Sequence, residues 1–217
     1  MNKSCIEHYD DRDYIEEAGA LEAPITSVVK TFSNVIQNQK LVDNYSCTWA
    51  AACGVIADVT GFAMSLSFRE KVWDNQLKTG ATEGYWDAIS NWMKQAVKLF
   101  NKEFPELPYK LEYYRISDIR NPITLLRVLA ISSIQTGYTG KLKADAQDNG
   151  IIDEVDNVDW GGHCIRIVKA WYEGLTLKIK YCDNYEGVNK YNVIEVADFL
   201  KNEDFFRGGY YVKKKFK

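Results

Sequence analysis

The chain has 217 residues, 46% hydrophobic and 13% aromatic, and a net charge of −3 from 27 basic and 30 acidic side chains. This length suits one domain of two lobes or two small domains sharing an interface, and the composition is that of a globular chain, not a disordered one; the charge argues against an electrostatic nucleic-acid binder. The opening MNKSCIEHYDDRDY is acidic, lacks an apolar core and does not read as a signal peptide, and no apolar stretch approaches the roughly 20 residues of a membrane-crossing helix.

Residues 1–40 carry little helical period and read as extended or loop-like. From Asn44 to Gly61 the chain reads NYSCTWAAACGVIADVTG. The pattern predicts a helix over 47–60, capped by Ser46 or Asn44 and stopped by Gly61, with Trp49, Ala52, Cys53, Ile56 and Val59 on a buried stripe. SLSFREKVWDNQL, from Ser65, predicts a second helix after a serine cap. GYWDAISNWMKQAVKLF predicts a third, with Trp86, Ile89, Trp92 or Met93, Ala96 and Leu99 at helical spacing. NPITLLRVLAISSI predicts a helix passing into a strand.

After about residue 137 the apolar period becomes two. The segment from Lys143 to Gly162 is acidic and glycine-containing; it reads as a surface loop, since its Asp and Asn residues miss the offsets of a calcium loop. HCIRIVKAW and LTLKIKYCDN alternate on either side of the turn YEG and predict a hairpin, and NVIEV and GGYYVKKKF supply further strands. The expected fold class is α+β, a helical N-terminal lobe over about 1–115 packed on an antiparallel β lobe over 116–217, with a cleft between.

The five cysteines (Cys5, Cys47, Cys53, Cys164 and Cys182) are odd in number, follow no disulfide spacing, and read as reduced thiols. Cys47 stands apart, because it falls on the first turn of a helix. Free backbone N–H groups and the helix dipole there favour an anion, which lowers a thiol's pKa and makes it a nucleophile. Cys53 lies six residues on, faces another direction and reads as core. Cys164 and Cys182 read as core-facing residues of the hairpin and as candidate cross-strand neighbours.

A thiol nucleophile needs a base. His8 sits in the polar N-terminal arm. His163 follows Trp160-Gly161-Gly162 and opens the first hairpin strand, while Asn184 ends the second. The hairpin sets the two opposite each other, so that the Asn184 carbonyl can accept the imidazole N–H and fix its tautomer. The Cys47 backbone N–H is one donor for an oxyanion; a side-chain amide from Gln39, Gln37, Asn38 or Asn44 is a second. A metal reading built on His163, Cys164, Cys182 and Asp183 is disfavoured, because neighbouring strand residues point to opposite faces.

In this order the motifs resemble those of the papain-like cysteine peptidases, in a form lacking a prodomain and similar to bacterial and viral members. YDDRDY resembles the start of the mature enzyme, VIQNQ the segment ending in the oxyanion-hole glutamine, and SCTWAAA the nucleophile helix. TGFAMSLSFREKVWD, EGYWDAISNWMK, GGHCIRIVKAW, CDNYEG and GGYYVKKK are similar to the segments that follow, although Glu83 and Glu186 replace a glycine and an aromatic of the family. The resemblance implies a peptidase with Cys47 as nucleophile, His163 as general base and then acid, Asn184 as its orienter and Gln39 as oxyanion donor. It implies no cofactor and no metal. Its partner is a peptide or protein substrate, with no nucleic acid and no membrane, in a cytoplasmic or virion-associated setting where a regulatory or virion partner would restrain it. The same triad also serves an amidase or cell-wall peptide hydrolase, and the fold can be kept as a catalytically weak binding or structural protein.

Overall fold

The computed structural model describes residues 15–16, 47–62, 64–77, 89–138, 163–182, 191–199 and 208–217. Three helices come first after a short strand β1 (Ile15–Glu16): α1 (Cys47–Thr60), α2 (Leu66–Leu77) and α3 (Ile89–Glu103). Strand β2 (Tyr109–Ile116), helix α4 (Pro122–Leu129) and strand β3 (Ile134–Tyr138) follow. The chain ends with β4 (His163–Glu173), β5 (Thr176–Cys182), β6 (Tyr191–Glu195), the single turn α5 (Val196–Phe199) and β7 (Gly209–Phe216).

Local chemistry accounts for the element ends. Gly61 adopts φ +79° and donates its N–H to the Ala57 carbonyl at 2.9 Å, closing α1 with a residue that tolerates the left-handed region. The Ser65 hydroxyl accepts from the Phe68 N–H at 3.2 Å and caps α2. Asn121 caps α4 by accepting from the N–H groups of Ile123 at 3.0 Å and Thr124 at 3.2 Å, with Pro122 in the first turn where no N–H is needed. Gly174, at φ +61°, opens the two-residue loop between β4 and β5. β4 therefore runs on through Tyr172 and Glu173, and the turn falls at Gly174 and Leu175 instead of the expected Tyr172 to Gly174.

The seven strands among the described residues form one sheet in the order β1-β2-β7-β3-β4-β5-β6, antiparallel except for the β1–β2 pair. β2 has no counterpart among the strands expected from the sequence. Its eight residues YKLEYYRI lack a clean alternation, and Leu111 and Ile116 are the aliphatic residues it buries. Both faces of the sheet are covered, because successive strand residues point to opposite sides. Cys164, Leu111, Tyr210 and Val212 pack with α1, α2 and α3, including the fully buried Trp49 and Trp92. Ile165, Ile167, Ile179 and Tyr211 pack on the other face with Leu125, Leu126 and Leu129 of α4. Each large apolar side chain so buried contributes about 1.5–3 kcal/mol relative to exposure.

On α3 the buried residues Trp92, Met93, Ala96, Val97, Leu99 and Phe100 face the core, while Lys98 is exposed. Asn101 ties α3 to β2: its amide donates to the Leu111 carbonyl at 2.9 Å and accepts from the Leu111 N–H at 2.8 Å. Among the described residues no helix is long and apolar enough to cross a membrane.

Candidate active site

Cys47 opens α1, as the spacing of the sequence requires. Its side chain is almost buried, at 7% exposure, and its Sγ accepts a hydrogen bond from the Cys164 backbone N–H at 3.4 Å. That N–H belongs to the peptide bond joining His163 to Cys164. Bond geometry then puts the His163 Cα within about 6 Å of the Cys47 sulfur. His163 heads β4 and its backbone pairs with Tyr138 of β3. The fold thus brings together the first residue of a helix and the first residues of a strand more than a hundred positions later.

A small polar network fastens this junction. The Thr48 hydroxyl donates to Cys164 Sγ at 3.2 Å and lies 3.9 Å from Cys47 Sγ. Gln135 of β3 donates its side-chain N–H to the Thr48 carbonyl at 2.7 Å. Thr48 and Gln135 are both buried, so these hydrogen bonds form away from water, where unmade partners are costly.

The other described cysteines have no comparable setting. Cys53 is fully buried, and desolvation pushes its thiol up to about 12, with Arg69 pulling weakly the other way. It belongs to the core, as its angular offset from Cys47 predicts. Cys164 and Cys182 are buried, as core-facing hairpin residues should be, and the ladder sets Cys182 opposite Arg166, so the two cysteines are diagonal and not directly paired. The cause is register: the last described pair of β4 with β5 is Arg166 with Cys182, which leaves Cys164 one diagonal step away. Cys47, Cys53, Cys164 and Cys182 all carry free thiols.

Gln39 and Asn184 lie outside the described residues, as do the cap residues Asn44 and Ser46, His8, Trp86 and the acidic segment 143–162. The described part of the site is therefore Cys47 and the β4 backbone at His163 and Cys164.

One feature of the junction was not among the expected site residues. Arg166 of β4 and Asp58 of α1 form an ion pair, Nε to Oδ2 at 3.2 Å, with both side chains at 0% exposure. Gly54, one helical turn before Asp58, gives the guanidinium room: a Cβ there would strike it. Burial raises the Asp58 carboxyl from 3.8 to about 6, against the opposing pull of Arg166 and the Ser133 hydroxyl. The available signal was a lone Asp and a lone Arg inside apolar runs, VIADVT and HCIRIV, each in an element that the core must bury.

No protein-family model matches the chain, and no curated protein sequence matches it. Solved structures do. The chain is similar to procathepsin B S9 from Trypanosoma congolense, with a TM-score of 0.57 at 10% identity over 94% of this chain and 83% of that one. It is also similar to digestive procathepsin L 3 of the Tenebrio molitor larval midgut, with a TM-score of 0.58 at 12% identity over 96% of this chain and 76% of that one. At such identities the likeness shows the fold, a papain-like arrangement of helices and antiparallel sheet.

Proposed function

We propose that the protein is a papain-type thiol peptidase acting through Cys47, His163 and Asn184. The observation that carries this reading is the hydrogen bond from the Cys164 N–H to Cys47 Sγ, which seats the nucleophile candidate against the residue beside His163 on a papain-like fold. A histidine side chain is long enough to cover a distance of about 6 Å. The N-terminus of α1 supplies the field that favours a thiolate, and an imidazolium from His163 completes the ion pair.

In the reaction the Cys47 thiolate attacks the substrate carbonyl. The oxyanion that forms is met by the Cys47 backbone N–H and by the Gln39 side-chain amide. His163 then passes its proton to the leaving amine, giving a thioester, and next draws a proton from the water that hydrolyses it. Asn184 holds the His163 ring in the required tautomer. The substrate is a peptide or protein lying in a cleft between the helices and the sheet.

The test is hydrolysis of a denatured protein and of fluorogenic peptides by the purified chain, beside Cys47→Ala and His163→Ala. Activity lost in both variants supports the reading. Equal loss from Cys53→Ala, or hydrolysis that persists in Cys47→Ala, overturns it.

A further inference from the structure

We propose that Asp58 and Arg166 are positioning residues for Cys47, a buried clamp that sets the rotation of the nucleophile helix against the strand that begins at His163. This inference rests on the reading of Cys47 as nucleophile.

The geometry is a seam along α1. At about 100° per residue, Asp58 comes back to within roughly 20° of the direction of Cys47, about 16 Å further along the axis. Gly54 falls close to the same line. Each of these three positions meets β4: Cys47 receives the Cys164 N–H, Gly54 lies under the Arg166 guanidinium, and Asp58 pairs with it. Cys164 and Arg166, two apart on the strand, share the face turned to the helix. The helix is therefore held at both ends of one stripe by one strand. Since side chains reach some 5–6 Å from the axis, turning α1 by about 15° would sweep the Cys47 sulfur by more than ~1 Å. A misplacement of that size is enough to slow a positioned reaction by about a hundredfold.

The other directional contacts of α1 among the described residues lie at its start, where Thr48 bonds Cys164 Sγ, Gln135 bonds the Thr48 carbonyl and the Trp49 indole N–H donates to the Arg69 carbonyl at 2.6 Å. Residues 50–53 are Ala-Ala-Ala-Cys, all fully buried in apolar contacts, so the far end of the stripe is set by Asp58 and Arg166. The ion pair has direction. It is also poorly explained as a source of stability, because burial works against the ionised carboxyl more strongly than Arg166 favours it. Among the described residues, the groups that face Asp58 are Arg166 from β4 and the Ser133 hydroxyl from the segment before β3. Cys53, on Asp58's own helix, is coupled to Arg69 of α2, and Cys182 of β5 stands across the ladder from Arg166.

The experiment uses the full chain with cysteine selectively labelled with 15N. Two quantities are read in the wild type, in Asp58→Asn and in the apolar double variant Asp58→Leu/Arg166→Met. One is the rate of Cys47 alkylation by iodoacetamide across pH, resolved by peptide mapping; the other is the Cys164 amide resonance, which reports the contact with Cys47 Sγ whatever chemistry follows. The clamp predicts folded variants in which the Cys164 amide moves and Cys47 alkylation at neutral pH falls by about tenfold or more. It also predicts that an acidic limb in the wild-type rate profile, with a midpoint near 6, is absent from Asp58→Asn. Folded variants with an unchanged amide and an unchanged profile overturn the proposal, and so does failure of both variants to fold, which would assign the pair to stability alone. The peptidase reading fails separately, when His163→Ala leaves the wild-type alkylation profile intact; the Cys164 amide still judges the clamp in that case.

Discussion

Asp58→Asn separates two accounts of a buried ion pair, because they predict opposite signs. If the Asp58–Arg166 pair mainly stabilises the fold, removing one charge destabilises it by about 3–5 kcal/mol, leaving Arg166 buried without its counterion. The structure favours the reverse. The Asp58 carboxyl is raised from 3.8 to about 6 by desolvation, so the folded chain keeps a proton that the unfolded chain has already released. Stability from this group is fully present below about pH 3.8 and is lost as pH rises through about 6. A shift of roughly two units corresponds to about 3 kcal/mol. Asparagine has the shape of the protonated acid and does not ionise in either state. Asp58→Asn should then match the wild type near pH 4 and exceed it by up to about 3 kcal/mol at pH 7.5. Urea unfolding of both proteins at half-unit steps from pH 4 to 8 measures the difference. A variant less stable than the wild type at pH 7.5, with the gap closing toward acid, would show instead that Arg166 outweighs burial.

Gly54→Ala should lose about 1–3 kcal/mol in the same assay, despite a helix-propensity gain of about 1 kcal/mol, because the added Cβ collides with the fully buried Arg166 side chain. Thr48→Ala should cost about 0.5–1.5 kcal/mol through loss of the hydrogen bond to Cys164 Sγ, read from urea midpoints at constant m. In native protein at pH 8, mass mapping should find Cys47 alkylated well before Cys53, whose thiol is pushed up to about 12 by burial. Peptide hydrolysis should be abolished in Cys47→Ala and His163→Ala and reduced less in Asn184→Ala, which removes an orienting group and not a proton carrier.

The helices were legible where composition and caps agree. α1 spans Cys47–Thr60, the span expected from the cysteine-led apolar run and Gly61, and Ser65 and Asn121 cap α2 and α4 through their side chains. The stripe expected on α1 was too narrow: every residue from Cys47 to Ala57 is buried, because α1 lies between the sheet and the other two helices. β2 escaped notice because four of its eight residues are half-buried, which leaves its pattern between a core strand and a surface one. The bulge in β4 between Ile167 and Lys169 is equally invisible in an unbroken apolar alternation. The positions of Cys47 at a helix start and His163 at a strand start were legible in the sequence. Asp58 and Arg166 were not, since pairing a charge in one element with a charge 108 positions later needs the register that only tertiary packing sets.

Whether His163 activates Cys47 as a nucleophile is read most directly from the pH dependence of Cys47 alkylation in the wild type and in His163→Ala. A thiolate–imidazolium pair gives rapid labelling of the wild type well below the ordinary thiol range, and that acidic reactivity is lost in His163→Ala. Slow labelling with an ordinary thiol profile in both proteins would contradict the pairing.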